Sequence, residues 1–155
     1  MIANTVSDGC FENDSDFAQQ CLKYGIVHLL FEIFNGDNSW NLKINAFDAI
    51  LTLFSNSYLN AESFNTFVEL GIIDSLSKNI SEMQSCNAIA ITSALNAIVM
   101  FLNETGSDET LTCFLLSEEI IDSIDEFLES EDPDVKYNAE KVDSFIHSML
   151  DDQDK

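Results

Sequence analysis

Leu70-Gly71-Ile72-Ile73-Asp74-Ser75-Leu76 decides the fold, because it recurs. Counting from Ile72, Glu118-Glu119-Ile120-Ile121-Asp122-Ser123-Ile124 repeats it 48 positions later, at Ile120. Tyr24-Gly25-Ile26-Val27-His28-Leu29-Leu30 matches both, with Ile26 lying 46 positions before Ile72. Behind each copy comes a longer segment that opens with Asn or Ser followed by Ala. These segments are Asn45-Ala46-Phe47-Asp48-Ala49-Ile50, Ser93-Ala94-Leu95-Asn96-Ala97-Ile98 and Asn138-Ala139-Glu140-Lys141-Val142. Their apolar residues fall three and four apart, the period of helices that bury one face.

Working outward, the whole chain reads as amphipathic helices separated by short polar breaks. Phe17 to Tyr24 ends at Gly25, and Ile26 to Phe34 stops at Asn35-Gly36-Asp37-Asn38. Further helices are expected over Asn41–Asn56, Asn60–Leu70, Ile72–Ile80, Ala88–Leu102, Leu111–Leu116, Ile120–Leu128 and Asp134–Leu150. Pro133 suits a helix start. Ala88–Leu102 is nearly all apolar, so burial on both of its sides is expected. A period of 45 to 48 residues, built as short helix, glycine, helix, loop and long helix, is the signature of armadillo or HEAT repeats. One such unit cannot bury its apolar face alone, and about three are needed for stability. The fold expected is all-α: an armadillo/HEAT-like right-handed superhelix of about three helical repeats. Glycine lets the first helix of a unit turn sharply into the second. In the third copy Glu119 stands at that position, as expected of a terminal capping unit. Residues 1–16 read as a flexible acidic lead-in, 17–150 as a single repeat domain and 151–155 as an acidic tail.

Composition narrows the function. The chain has 155 residues, 46% of them apolar, with 28 acids against 6 bases and a net charge of −22. All six bases are lysines. That balance argues against nucleic acid and against anionic membrane, both of which are gripped by basic side chains. No run of 18 consecutive apolar residues occurs, so no membrane span is expected, and no signal peptide is visible. A single proline and five glycines do not suit a turn-rich β-sandwich. Cys10, Cys21, Cys86 and Cys113 fit no zinc spacing and read as small apolar fillers of an intracellular chain, cytoplasmic or nuclear.

Within the armadillo proteins, Phe67-Val68-Glu69-Leu70-Gly71-Ile72-Ile73 and Ala94-Leu95-Asn96-Ala97-Ile98 resemble the C-terminal region of importin-alpha (karyopherin alpha). Ile124-Asp125-Glu126-Phe127-Leu128-Glu129-Ser130-Glu131 resembles the last helices of that family, and the likeness runs over about residues 17 to 148. The resemblance implies a protein-binding module in nuclear protein import, an adapter between localisation signals and transport receptors. The family's upstream repeats and basic N-terminal segment have no counterpart in this sequence, which points to a truncated or degenerate relative. The alternative is a general armadillo scaffold or co-chaperone unrelated to import.

The family's long third helices hold a localisation signal with a tryptophan and an asparagine four residues apart. Alignment puts Asp48 and Thr52 there in the first long helix, and Asn96 and Met100 in the second. Neither pair matches. Trp40, outside the expected helix, is followed four residues on by Ile44. The peptide-binding groove is therefore assigned to Asp48, Thr52, Asn96 and Met100 by position alone.

A second candidate surface is acidic. Between residues 118 and 134 stand Glu118, Glu119, Asp122, Asp125, Glu126, Glu129, Glu131, Asp132 and Asp134, with no base among them. The first six are read as a docking surface for a basic protein or peptide, a transport receptor in the family, steered by the long-range field. The competing reading is a solvated face that keeps the repeats soluble. His28 and His147 lack zinc-site spacing, and His28 reads as a satisfied core histidine. No phosphate loop, dinucleotide loop or nucleophile elbow is present, so the expectation is a protein that is not an enzyme and takes no metal or cofactor. The phenylalanines, among them Phe31, Phe34, Phe64, Phe67 and Phe101, are expected in the core. No polar capping helix precedes Phe17, so the N-terminal end is expected to expose an apolar face through which copies could associate.

Overall fold

A computed structural model describes residues 15–154. In chain order its helices are α1 (Ser15–Lys23), α2 (Ile26–Asn35), α3 (Trp40–Ser55), α4 (Ala61–Glu69), α5 (Ile72–Met83), α6 (Ala88–Thr105), α7 (Glu109–Leu115), α8 (Glu118–Leu128) and α9 (Pro133–Gln153). Among the described residues there is no strand. The protein is all-α, and every expected helix is present within a few residues of its expected ends. Of the expected lead-in, residues 1–14 lie outside the described residues, while Ser15 and Asp16 open α1. The last helix runs on to Gln153, through Asp151 and Asp152 of the expected tail. Contacts group the chain into two compact units that divide between Ile72 and Ile73.

Four helix starts share one chemistry. Asn60 and Asp108 cap the short helices α4 and α7, accepting from the N–H groups of Ser63 and Leu111 at 3.0 Å each. Ser39 caps α3 through Leu42 N–H at 3.4 Å. Asp132 caps α9 through Asp134 N–H (2.9 Å) and Val135 N–H (3.4 Å), ahead of Pro133. Each side-chain oxygen satisfies a backbone donor that the first helical turn leaves orphaned.

In the first unit, α3 packs against α2, and α1 packs against α2, α3 and α4. The contacts are aromatic. Phe34 and Phe47 stack with ring centroids 4.7 Å apart, and Phe54 meets Phe64 at 4.9 Å and Phe67 at 5.7 Å. In the second unit, α6 and α8 both pack against α9, and α7 packs against α8. Helix α6 contributes ten buried residues, with Ile89 left exposed. By length and composition it could cross a membrane, its mean hydropathy being 1.4 over 18 residues, but 56% of it is buried in the protein. That is why it reads as apolar nearly all round.

Two of the recurrent motif's glycines make the expected turns. Gly25 (φ 76°) and Gly71 (φ 97°) lie in the left-handed region that side chains disfavour. Each falls directly before the next helix, at Ile26 and Ile72. The third copy turns otherwise. Glu119 lies inside α8 and makes no turn; Leu116 and Ser117 make it, with Ser117 at φ −67°. The Ser117 hydroxyl donates to Phe114 O at 2.7 Å. The recurrent motif therefore slides two positions into its helix in this copy, and Glu118 and Glu119 become its first turn.

Other expectations change. Cys21 is buried as a filler should be, and burial pushes its thiol up, whereas Cys86 and Cys113 are exposed. Cys10 lies outside the described residues. His28 is exposed and is not a core residue, because Val27, Leu30, Phe31 and Phe34 take the inward face of α2. Trp40 is not outside the helix but its first residue, 47% exposed. Phe31, Phe34, Phe64, Phe67 and Phe101 are all buried.

Replacing Phe54, fully buried between two rings, with alanine is expected to remove about 3–5 kcal/mol of stability. Gly71→Ala is expected to cost about 1–2 kcal/mol through its backbone conformation alone, since open space surrounds the added methyl group. Urea titrations of the two variants check both figures.

Candidate protein-docking surfaces

The first candidate set falls on two helices. Asp48 and Thr52 lie one turn apart on α3 in the first unit, and Asn96 and Met100 lie one turn apart on α6 in the second. All four are half-buried. The Thr52 hydroxyl donates to Asp48 O at 2.7 Å, so it is committed within its own helix. Asn96 and Met100 continue the solvent-facing strip of α6 that begins at Ile89 and Ser93.

That strip has a partner that sequence reasoning did not assign. Asn138 on α9 donates through Nδ2 to Ser93 Oγ at 3.2 Å and approaches Thr92 Oγ1 at 3.4 Å. Ser93 and Asn138 are the equivalent residues that open the conserved-looking Asn/Ser-Ala pattern in successive copies, 45 positions apart. The signal was present as a repeated polar residue before alanine inside an apolar segment. A polar group in such a place needs a partner, and here its counterpart in the next copy supplies one.

The second candidate set lies on α8 and the turn after it. Glu118, Glu119, Asp122, Asp125, Glu126 and Glu129 are all exposed. Apolar burial explains why: Ile120, Ile124 and Phe127 take the inward face, leaving the acids outward. The structure does not keep the six together. Glu118, Glu119, Asp122 and Glu126 line a cleft of about 280 Å³ whose other wall is Ser81 and Gln84, beside the C-terminal end of α5. The Gln84 side-chain amide donates to a Glu126 carboxylate oxygen. Asp125 and Glu129 are not part of the cleft lining, and the charge of Asp125 acts on His147 from outside it.

The electrostatics of the cleft are one-sided, for its lining carries no base. Glu118 and Glu119 sit in the first turn of α8, where the helix dipole favours a negative charge. Glu118 with Asp122, and Asp122 with Glu126, are like-charged pairs four residues apart on one helix. Such a pair costs about 0.2–0.5 kcal/mol. A cation brought to this row relieves that repulsion. Among the described residues no group of three His, Cys, Asp or Glu side chains is arranged to hold a metal ion.

His147 supplies the chain's readable titration. Its Nδ1–H donates to Asp143 O at 2.9 Å, and Asp143 Oδ1 lies 3.2 Å away. The backbone hydrogen bond first, then the charges of Asp143, Asp151 and Asp125, hold its pKa above the usual histidine value. A raised folded-state pKa means that the stabilisation is fully present below the unfolded pKa of about 6.5 and is lost as pH rises through the folded value. An NMR titration of His147 is expected to give a midpoint above 6.5, and Asp143→Asn is expected to lower it.

No family model, no curated protein and no solved structure matches this chain.

Proposed function

We propose that this chain is a protein-binding module. In it, three helical triplets of the armadillo type stack as a right-handed superhelix, and the acidic face of α8 docks a basic protein or peptide. Two contacts support the stacking, each joining equivalent elements one period apart. Helix α1 packs against α4, the first helices of successive copies, and α6 packs against α9, the long helices of successive copies. The Asn138–Ser93 hydrogen bond fixes the second of these at equivalent residues.

The observation that carries the binding reading is the row Glu118, Asp122 and Glu126, exposed on one face of α8 and unopposed by any base in the cleft it lines. With the field of a chain of net charge −22 behind it, such a row steers and retains cationic partners. The process proposed is nuclear protein import, on the strength of the resemblance to importin-alpha. Its partners there are a lysine-rich localisation signal or a transport receptor, met in the cytoplasm or nucleus.

One observation favours the scaffold reading over a complete import adapter. Neither Asp48–Thr52 nor Asn96–Met100 supplies an aromatic slot for a lysine stem, and the Thr52 hydroxyl is occupied. The cleft that gathers carboxylates is walled by α8 and the end of α5, not by the long helices. In both readings the chain works without covalent chemistry, as a surface.

A lysine-rich localisation peptide immobilised on resin is expected to retain the protein at low salt and to release it as ionic strength approaches 1 M, where the screening length falls to about 3 Å. Failure to retain it at low salt overturns the cargo reading. Charge-reversing Asp122→Lys is expected to abolish retention while leaving the helical circular dichroism unchanged.

A further inference from the structure

We infer that Asn35-Gly36 is a modification site, where the Asn35 amide is lost to attack by the chain's own backbone, leaving aspartate and isoaspartate at the join between α2 and α3. The inference stands apart from the docking reading. It comes from residue order, hydrogen bonding and packing.

Asn35 is exposed and closes α2, and Gly36 follows it outside the helix. This is the chain's one asparagine–glycine step. The Gly36 nitrogen, on losing its proton to hydroxide, bonds to Asn35 Cγ; the Cγ–Nδ2 bond breaks and ammonia leaves. The product is a five-membered succinimide. Water opens that ring at either carbonyl, giving aspartate or, with the chain routed through the side chain, isoaspartate. Water is the sole co-reactant, and nothing is oxidised or reduced. A glycine next in line has no side chain to hinder the attack.

The attacking nitrogen is not tied back to its helix. Where α3, α4, α6 and α7 end, the N–H of the next residue (Asn56, Leu70, Gly106 and Leu116) donates back to a carbonyl of the helix. Gly36 makes no such bond among the described residues, and its backbone is already extended, at ψ 178°. Two other asparagines precede a serine, and both of their amides are held. Asn38 Nδ2 donates to Ile33 O at 2.8 Å, and Asn56 Nδ2 donates to Thr52 O at 2.9 Å.

Packing explains the glycine. A Cβ at position 36 would lie 2.8 Å from Glu32 O and 2.9 Å from Asn38 Nδ2, closer than packed atoms approach. The turn therefore demands glycine, and the reactive pair comes with it. Conversion acts on the same turn. A new carboxylate there meets the negative end of the helix dipole, with Glu32 three residues before it and Asp37 two after. Isoaspartate also adds a methylene to the backbone directly after Phe34, whose ring stacks on Phe47 at 4.7 Å. Conversion thus loosens α2 on α3.

Peptide mapping by mass spectrometry tests the site, on the full chain held at neutral and mildly alkaline pH in water carrying heavy oxygen. Asn35 is expected to gain one heavy oxygen, faster at the higher pH, as both aspartate and isoaspartate. Asn38 and Asn56 are expected to convert at least several-fold more slowly. Unfolding in urea is expected to speed Asn38 and Asn56 while leaving Asn35 within a few-fold of its folded rate. Asn35→Gln is expected to stop conversion there without moving the urea midpoint of the fresh protein, since a longer side chain closes its ring slowly. After ageing, the midpoint is expected to fall for the unchanged chain and to hold for Asn35→Gln. Conversion of Asn35 no faster than that of Asn38 and Asn56 in the folded chain, or many-fold slower folded than unfolded, overturns the inference. An unmoved midpoint in fully converted protein overturns the loosening of α2 on α3.

Discussion

A short amphipathic helix with one greasy face has no stable existence alone, and most of the helices among the described residues are of that kind. Each must lay its apolar stripe on a neighbour, as α3 does on α2 and α8 does on α9. That burial is what everything else depends on. Phe54 shows how it works: its ring, on the long helix of one copy, is gripped by Phe64 and Phe67 on the short first helix of the next. The polar exception obeys the same logic, since Asn138 finds its partner on the equivalent helix of the preceding copy.

Charge enters as a consequence of that packing. With 28 acids against 6 bases, most carboxylates have no basic side chain to pair with, and burying an unpaired ion costs several kcal/mol, so they favour the surface. Lys78 and Asp74, 2.9 Å apart, form an ion pair within one turn of α5, about 70% exposed at both ends, and it contributes little to stability. The acids of α8 follow from the inward demand of Ile120, Ile124 and Phe127, which leaves the remaining faces to carboxylates. Their alignment into a row is a by-product of helical geometry, and the row is what a cationic segment can use.

Much of this was legible from residue order. Helix positions followed from apolar spacing and from Gly, Asn and Asp punctuation, and the left-handed turns at Gly25 and Gly71 from the recurrence of glycine before an isoleucine. Where the reading missed, an equally local alternative existed. His28 follows Val27 on an apolar helix, and only the direction of the buried stripe shows that it points out. Glu119 aligns with a glycine, yet the turn moved to Leu116 and Ser117, since a serine with φ near −67° serves there without a left-handed residue. Cys86 and Cys113 looked like fillers because cysteine usually is one, but neither falls on an inward face.

The sequence by itself determined the helices, their repeat, the uniform negative charge and the identity of the residues that fill the core. These depend on periodicity and composition, which are properties of residues near each other in the chain. Only the tertiary structure decided that Glu118, Glu119, Asp122 and Glu126 share a cleft with Ser81 and Gln84 while Asp125 stays outside it. It also decided that Asn138 answers Ser93. The reason is geometric: a helix has a face in every direction, and which of them becomes a site depends on the neighbour that packs beside it.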